Sequence, residues 1–86
     1  MFAVVYAYRE GSTFKLSDIR IISTQEKRDE YIDNIIKEYV GFSMKPLPRI
    51  SNLTNIRDYE IRFMVGDKYN VDIYKDSILI VSIRSI

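Results

Sequence analysis

One stretch, Ser23 to Gly41, carries a helical periodicity matched nowhere else in the chain, and it constrains everything around it. Apolar side chains recur at Tyr31, Ile32, Ile35, Ile36, Tyr39 and Val40, the rhythm of one helical face. Charged and polar residues from Glu26 to Glu38 fill the opposite side. Ser23-Thr24-Gln25-Glu26 reads as a capping box, with Ser23 as the cap. Gly41 reads as the stop, because glycine most easily takes the left-handed conformation that ends a helix. The spacing therefore predicts one amphipathic helix over 24–40, and the remaining residues must find regular structure as strands.

Phe2 to Tyr8 is aromatic and β-branched, the composition of a pleated strand. Gly11 marks a turn, and Phe14 to Ile22 returns with Ile19 and Ile21 on one face and Asp18 and Arg20 on the other. This is a hairpin over 2–22. Pro46 and Pro48 forbid a helix or a central strand after Gly41, and Ile50 to Arg57 has no period, so 42–57 reads as a loop. Tyr59, Ile61, Phe63 and Val65 alternate, as do Tyr69, Val71 and Ile73, with turns at Gly66-Asp67-Lys68 and Lys75-Asp76-Ser77. Ile78 to Val81 is apolar on both faces. The expectation is a single α+β domain over 1–86 in the order ββαβββ. Its three-stranded meander spans 58–86, and its helix lies on one face of a mainly antiparallel five-stranded sheet.

Such a helix is about 25 Å long and about 10–12 Å wide, while strands lie about 4.8 Å apart. It would roof two or three strands, leaving apolar sheet surface for the loop or another molecule to cover. Ala3 and Ala7 are small enough to admit a helix closely, which places their face inward. Phe2, Val4, Tyr6 and Tyr8 then lie on the open face with Arg20, Arg62, Met64 and Tyr74 as neighbours. Aromatic, Met and Arg side chains are enriched at interfaces, so Tyr6, Tyr8, Arg20, Arg62, Met64 and Tyr74 form the candidate partner-binding set. The alternative turns the first strand over and makes its aromatics core. The last strand either lies mid-sheet or pairs with a second chain, with Ile78, Ile80 and Ile83 as a homodimer edge.

Catalytic chemistry finds little footing. With no Cys and no His, the chain lacks the commonest nucleophile, general base and transition-metal ligands. Gly11, Gly41 and Gly66 are isolated and build no phosphate-cradling loop. Asp29 and Asp33, one helical turn apart, could share a cation or act as an acid–base pair, but cationic neighbours make them a solvated face. No enzyme activity, metal or cofactor is expected. The 13 Lys and Arg against 12 Asp and Glu leave a net charge of +1, which gives phosphate no long-range attraction. The expected partner is a protein rather than RNA. An RNA-binding regulator using Tyr6 and Tyr8 as stacking platforms is the alternative, and a structural assembly subunit a third reading. No apolar run approaches a membrane span of about 20 residues, and the first residues lack a basic leader, so a cytoplasmic location is expected. Fourteen isoleucines against two alanines fit an AT-rich gene, which suits an inhibitor or accessory factor of a bacterial virus.

Overall fold

The computed structural model describes all 86 residues. Six strands and one helix follow in chain order: β1 (Phe2–Glu10), β2 (Thr13–Ile22), α1 (Gln25–Val40), β3 (Asn52–Ile56), β4 (Tyr59–Val65), β5 (Tyr69–Lys75) and β6 (Ile78–Ser85). The strands form one sheet in the order β2-β1-β6-β5-β4-β3, antiparallel throughout. The first and last strands are neighbours, with Val4 opposite Ser85 and Tyr8 opposite Val81. Two bonds between the backbones of Ala3 and Ile86, 3.0 and 2.9 Å, extend that seam.

The sheet has one strand more than expected. β3 lies within the stretch read as a loop, and its pattern explains why. Asn52 and Thr54 face the helix side beside Phe63 and Ile61, so apolar alternation is weak. The strand exists because β4 offers it a ladder, not because its own sequence demands one. Its link to β4 also lacks a glycine: Arg57 itself takes a left-handed backbone with φ 57°.

The helix begins one residue later than the capping box implied. Thr24 is the cap, and its hydroxyl accepts from the Lys27 amide at 3.2 Å. Gly41 closes the helix as expected, with φ 92° and its amide donating to the Lys37 carbonyl at 2.9 Å. α1 is the only helix, and it is not long and apolar enough to cross a membrane.

α1 starts beside edge strand β2, and the chain after it reaches the opposite edge strand β3. Helix and loop together therefore traverse the sheet. Ile32, Ile35, Ile36 and Val40 pack on Val4, Ile83, Val81, Val71, Ile73, Ile61 and Phe63, drawn from four strands. Leu47, in the loop, is as buried as the helix residues and completes the cover. The loop is fastened at three points. Asp33 accepts from the Ser43 hydroxyl and the Met44 amide, both at 2.7 Å. Arg49 pairs with Asp29. The Tyr69 hydroxyl donates to the Pro48 carbonyl at 2.7 Å. One helix and one tied loop thus roof a face that a helix alone would leave partly bare.

Candidate functional site

The orientation of the first hairpin decides what the other face of the sheet presents. Val4 is fully buried beneath α1, and the Tyr6 hydroxyl lies 2.8 Å from that of Tyr39. Alternation puts Phe2 and Tyr8 on this same face. The aromatic side of β1 is therefore turned toward the helix, and Ala3, Val5 and Ala7 look outward. This reverses the orientation inferred from alanine size. The larger side chains fill the space between helix and sheet at the density an interior requires, which alanines would leave as voids.

The register carries the reversal into β2. Ile21 faces Ala3 and Ile19 faces Val5, while Arg20 and Asp18 face Val4 and Tyr6. Arg20 and Asp18 accordingly lie on the helix side, paired with each other at 3.0 Å. Asp18 accepts from the Tyr31 hydroxyl at 3.0 Å, and Arg20 stacks 4.7 Å from the Tyr31 ring centre. A polar seam joins this margin of the sheet to the helix, so the strand's isoleucines are free to point away. At Ser17 the register shifts, with Tyr6 opposite Asp18 but Ala7 opposite Leu16, and the extra residue brings Leu16 back onto the outward face.

The outcome is a row of apolar side chains on one strand. Ile21 is 64% exposed, Ile19 59%, Leu16 59% and Phe14 39%. The small side chains of β1 lie alongside, and Ile86, 64% exposed, extends the patch. Single exposed apolar residues mean little, but a contiguous row marks an interaction surface. Each such side chain would contribute about 1.5–3 kcal/mol on full burial, so the row holds a large unspent driving force.

The outward face of β4 and β5 is different. Arg84 reaches across from β6 and pairs with the buried Asp72 at 2.7 Å. Arg62 binds Glu60 and stacks 4.3 Å from the Tyr74 ring centre. Met64, 37% exposed, lies opposite Asn70. The charged groups pair with one another, and Arg62 and Tyr74 line a hollow of about 280 Å³ that also holds Asp58, Glu60 and Asp76. Its cations face carboxylates, a poor arrangement for phosphate.

The expected site therefore splits. Arg62, Met64 and Tyr74 share the outward face, while Tyr6, Tyr8 and Arg20 lie on the helix side. The inward tyrosines bear the mark of their surroundings. Burial, then the bond to Tyr39, raises the Tyr6 hydroxyl above its ordinary pKa. Burial, then the bond to Asp18, does the same for Tyr31. Burial, then the charge of Asp29, pushes Tyr69 up to about 12. No pair of tyrosine rings is offered outward for bases to stack on.

The proposed dimer edge is also corrected. β6 lies between β1 and β5, so from Val81 to Ser85 both its hydrogen-bonding sides are taken. Ile83 is fully buried, Ile80 half-buried, and Ile78 exposed only beside the β5–β6 turn. The free edges belong to β2 and β3. Asp29 and Asp33 do not converge on a shared site either: Arg28 and Arg49 hold the first, Ser43 and Met44 the second. No group of three or more carboxylate, Cys or His side chains gathers in metal-binding geometry.

The chain matches no protein-family model, no curated protein and no solved structure.

Sequence reasoning missed Phe14, Leu16, Ile19 and Ile21. Their signal was present in the alternation of Ile19 and Ile21 against Asp18 and Arg20. What misled was the small size of Ala3 and Ala7, which set their side of the hairpin inward.

Proposed function

We propose that the chain is a small, non-enzymatic binding protein that captures a protein partner on the outward face of the β1–β2 hairpin. The observation that carries this reading is the exposed row of Phe14, Leu16, Ile19 and Ile21. Elsewhere that face is more polar, with Arg84 paired to Asp72 and Arg62 to Glu60, and its other exposed apolar side chains, Leu53 and Met64, lie at the far flank on β3 and β4. An inhibitor or accessory factor works in this way, by occupying a surface on its target, and an origin in a bacterial virus suits the coding bias. Protein is favoured over RNA because the sheet offers apolar area rather than free cations and stacked rings.

The test compares capture from extracts of the native host by the natural protein and by Leu16→Glu, with and without nuclease. Leu16 is exposed, so the variant keeps its fold, with melting temperature and far-ultraviolet circular dichroism unchanged. The expected result is nuclease-resistant capture that the variant loses. Capture that survives the substitution, or that vanishes with nuclease, overturns the reading.

A further inference from the structure

The free edge of β2 has a chemistry that selects its own copy. β2 ends the sheet, so the backbone groups on its side away from β1 have no neighbouring strand. Ten residues make it long for an edge strand, and it contains no proline or glycine. The register shift at Ser17 breaks its regularity, so the regular part begins at Asp18, and about a central Ile19 the stretch that can face its own copy is Asp18 to Arg20. This stretch carries one acid and one base on the same face, two residues apart, with Ile19 between them on the other face.

We propose that a second copy of this chain adds to that edge. The two β2 strands pair antiparallel with Ile19 on a two-fold axis, joining two six-stranded sheets into one. The geometry leaves little choice of register. A two-fold axis that makes edge strands antiparallel stands perpendicular to the sheet, and it keeps both helices on the same side. Side chains directly opposite each other across a ladder share a face, so each axis must pass through a residue position. An axis at Asp18 sets two carboxylates face to face, and one at Arg20 sets two guanidinium groups together. An axis at Ile21 leaves Arg20 opposite isoleucine and runs the ladder into Thr24, the helix cap. With Ile19 central, Asp18 faces Arg20 of the second copy, and this occurs twice.

The four charges alternate in sign on the helix side, since Asp18 and Arg20 already pair within each copy at 3.0 Å. On the outward side Ile19 meets Ile19, with Ile21 diagonal to it. The pairing uses backbone and leaves the outward faces open. The apolar row then runs on from one copy into the other, doubling the surface proposed for the protein partner. In that respect the inference builds on the binding reading.

Charge complementation tests it, read by analytical ultracentrifugation over a concentration series. The natural protein is expected to form a concentration-dependent dimer. Asp18→Lys makes the paired stretch wholly basic, and Arg20→Glu makes it wholly acidic. Each alone raises the dimer Kd by roughly tenfold or more, whereas an equimolar mixture of the two restores dimer. The double variant, Asp18→Lys with Arg20→Glu, regains opposite charges at every facing position and dimerises again, which separates loss of pairing from loss of fold.

A natural protein that stays monomeric throughout, single variants that dimerise unchanged, or a mixture that stays monomeric overturns the inference. The two proposals fail separately, because Leu16 lies outside the paired stretch. A monomer whose partner capture is abolished by Leu16→Glu refutes only the dimer.

Discussion

The Tyr6 hydroxyl of β1 lies 2.8 Å from the Tyr39 hydroxyl of α1. This bond ties the first strand to the last turns of the helix, across 33 residues of chain, and fixes which face of the hairpin is inside. Tyr6→Phe keeps the ring and removes the bond. It is expected to lower stability by about 1 kcal/mol, read as a fall in the urea midpoint, and to leave partner capture intact. Capture lost with the fold preserved would return Tyr6 to the binding surface.

Asp33 is 2% exposed and accepts two bonds from the segment that follows the helix, Ser43 and Met44. Removing it leaves the Met44 amide without its acceptor and releases the loop that carries Leu47 into the core. Asp33→Ala is expected to cost about 1.5–3 kcal/mol, the range for hydrogen bonds to a charged group. The Met44 amide should also exchange its hydrogen faster. A variant with unchanged stability and unchanged exchange would mean that the loop is held by Leu47 and Tyr69 instead.

Alkali should unfold this protein through the buried Tyr69 and the half-buried Tyr6 and Tyr31. Tyr6, Tyr31 and Tyr69 all have folded-state pKa values raised from the ordinary 10.0, Tyr69 to about 12. Below pH 10 folded and unfolded chains are both protonated at these groups, and their contribution is constant. Above it the unfolded chain releases protons that the folded one retains, so stability falls as pH rises through the window to about 12. Urea midpoints at about pH 9 and about pH 11 measure the fall. Tyr69→Phe should flatten it by removing one of the three groups, and an unaltered slope would show that other groups govern alkaline unfolding.

Much of the framework was legible before any coordinates. Gly41 does end the helix, Gly11 takes φ 65° in the first turn, and Asp76 and Ser77 turn the chain between β5 and β6. The alternation of Tyr59 to Val65 and Tyr69 to Ile73 reads directly onto inward-facing positions. β3 was illegible because an edge strand with Asn52 and Thr54 inward has no apolar rhythm to detect. The faces of the sheet were legible only in part. Arg62, Met64 and Tyr74 do share the outward face, but Phe14, Leu16, Ile19 and Ile21 were passed over.

The sequence by itself determined the period of every element but β3, because helix and strand repeats depend only on local backbone geometry. It also marked where β1 and α1 stop, through Gly11 and Gly41, whose left-handed conformation few other residues tolerate. Tertiary structure alone decided the sign of the hairpin. Alternation divides a strand into two faces without saying which one turns inward. Pairing with β6 sets Tyr6 opposite Ile83, and α1 supplies Tyr39 and Tyr31 as partners for Tyr6 and Asp18. Those distant contacts put the aromatics of β1 and the charges of β2 on the helix side, and so left Ile19 and Ile21 of an edge strand facing out.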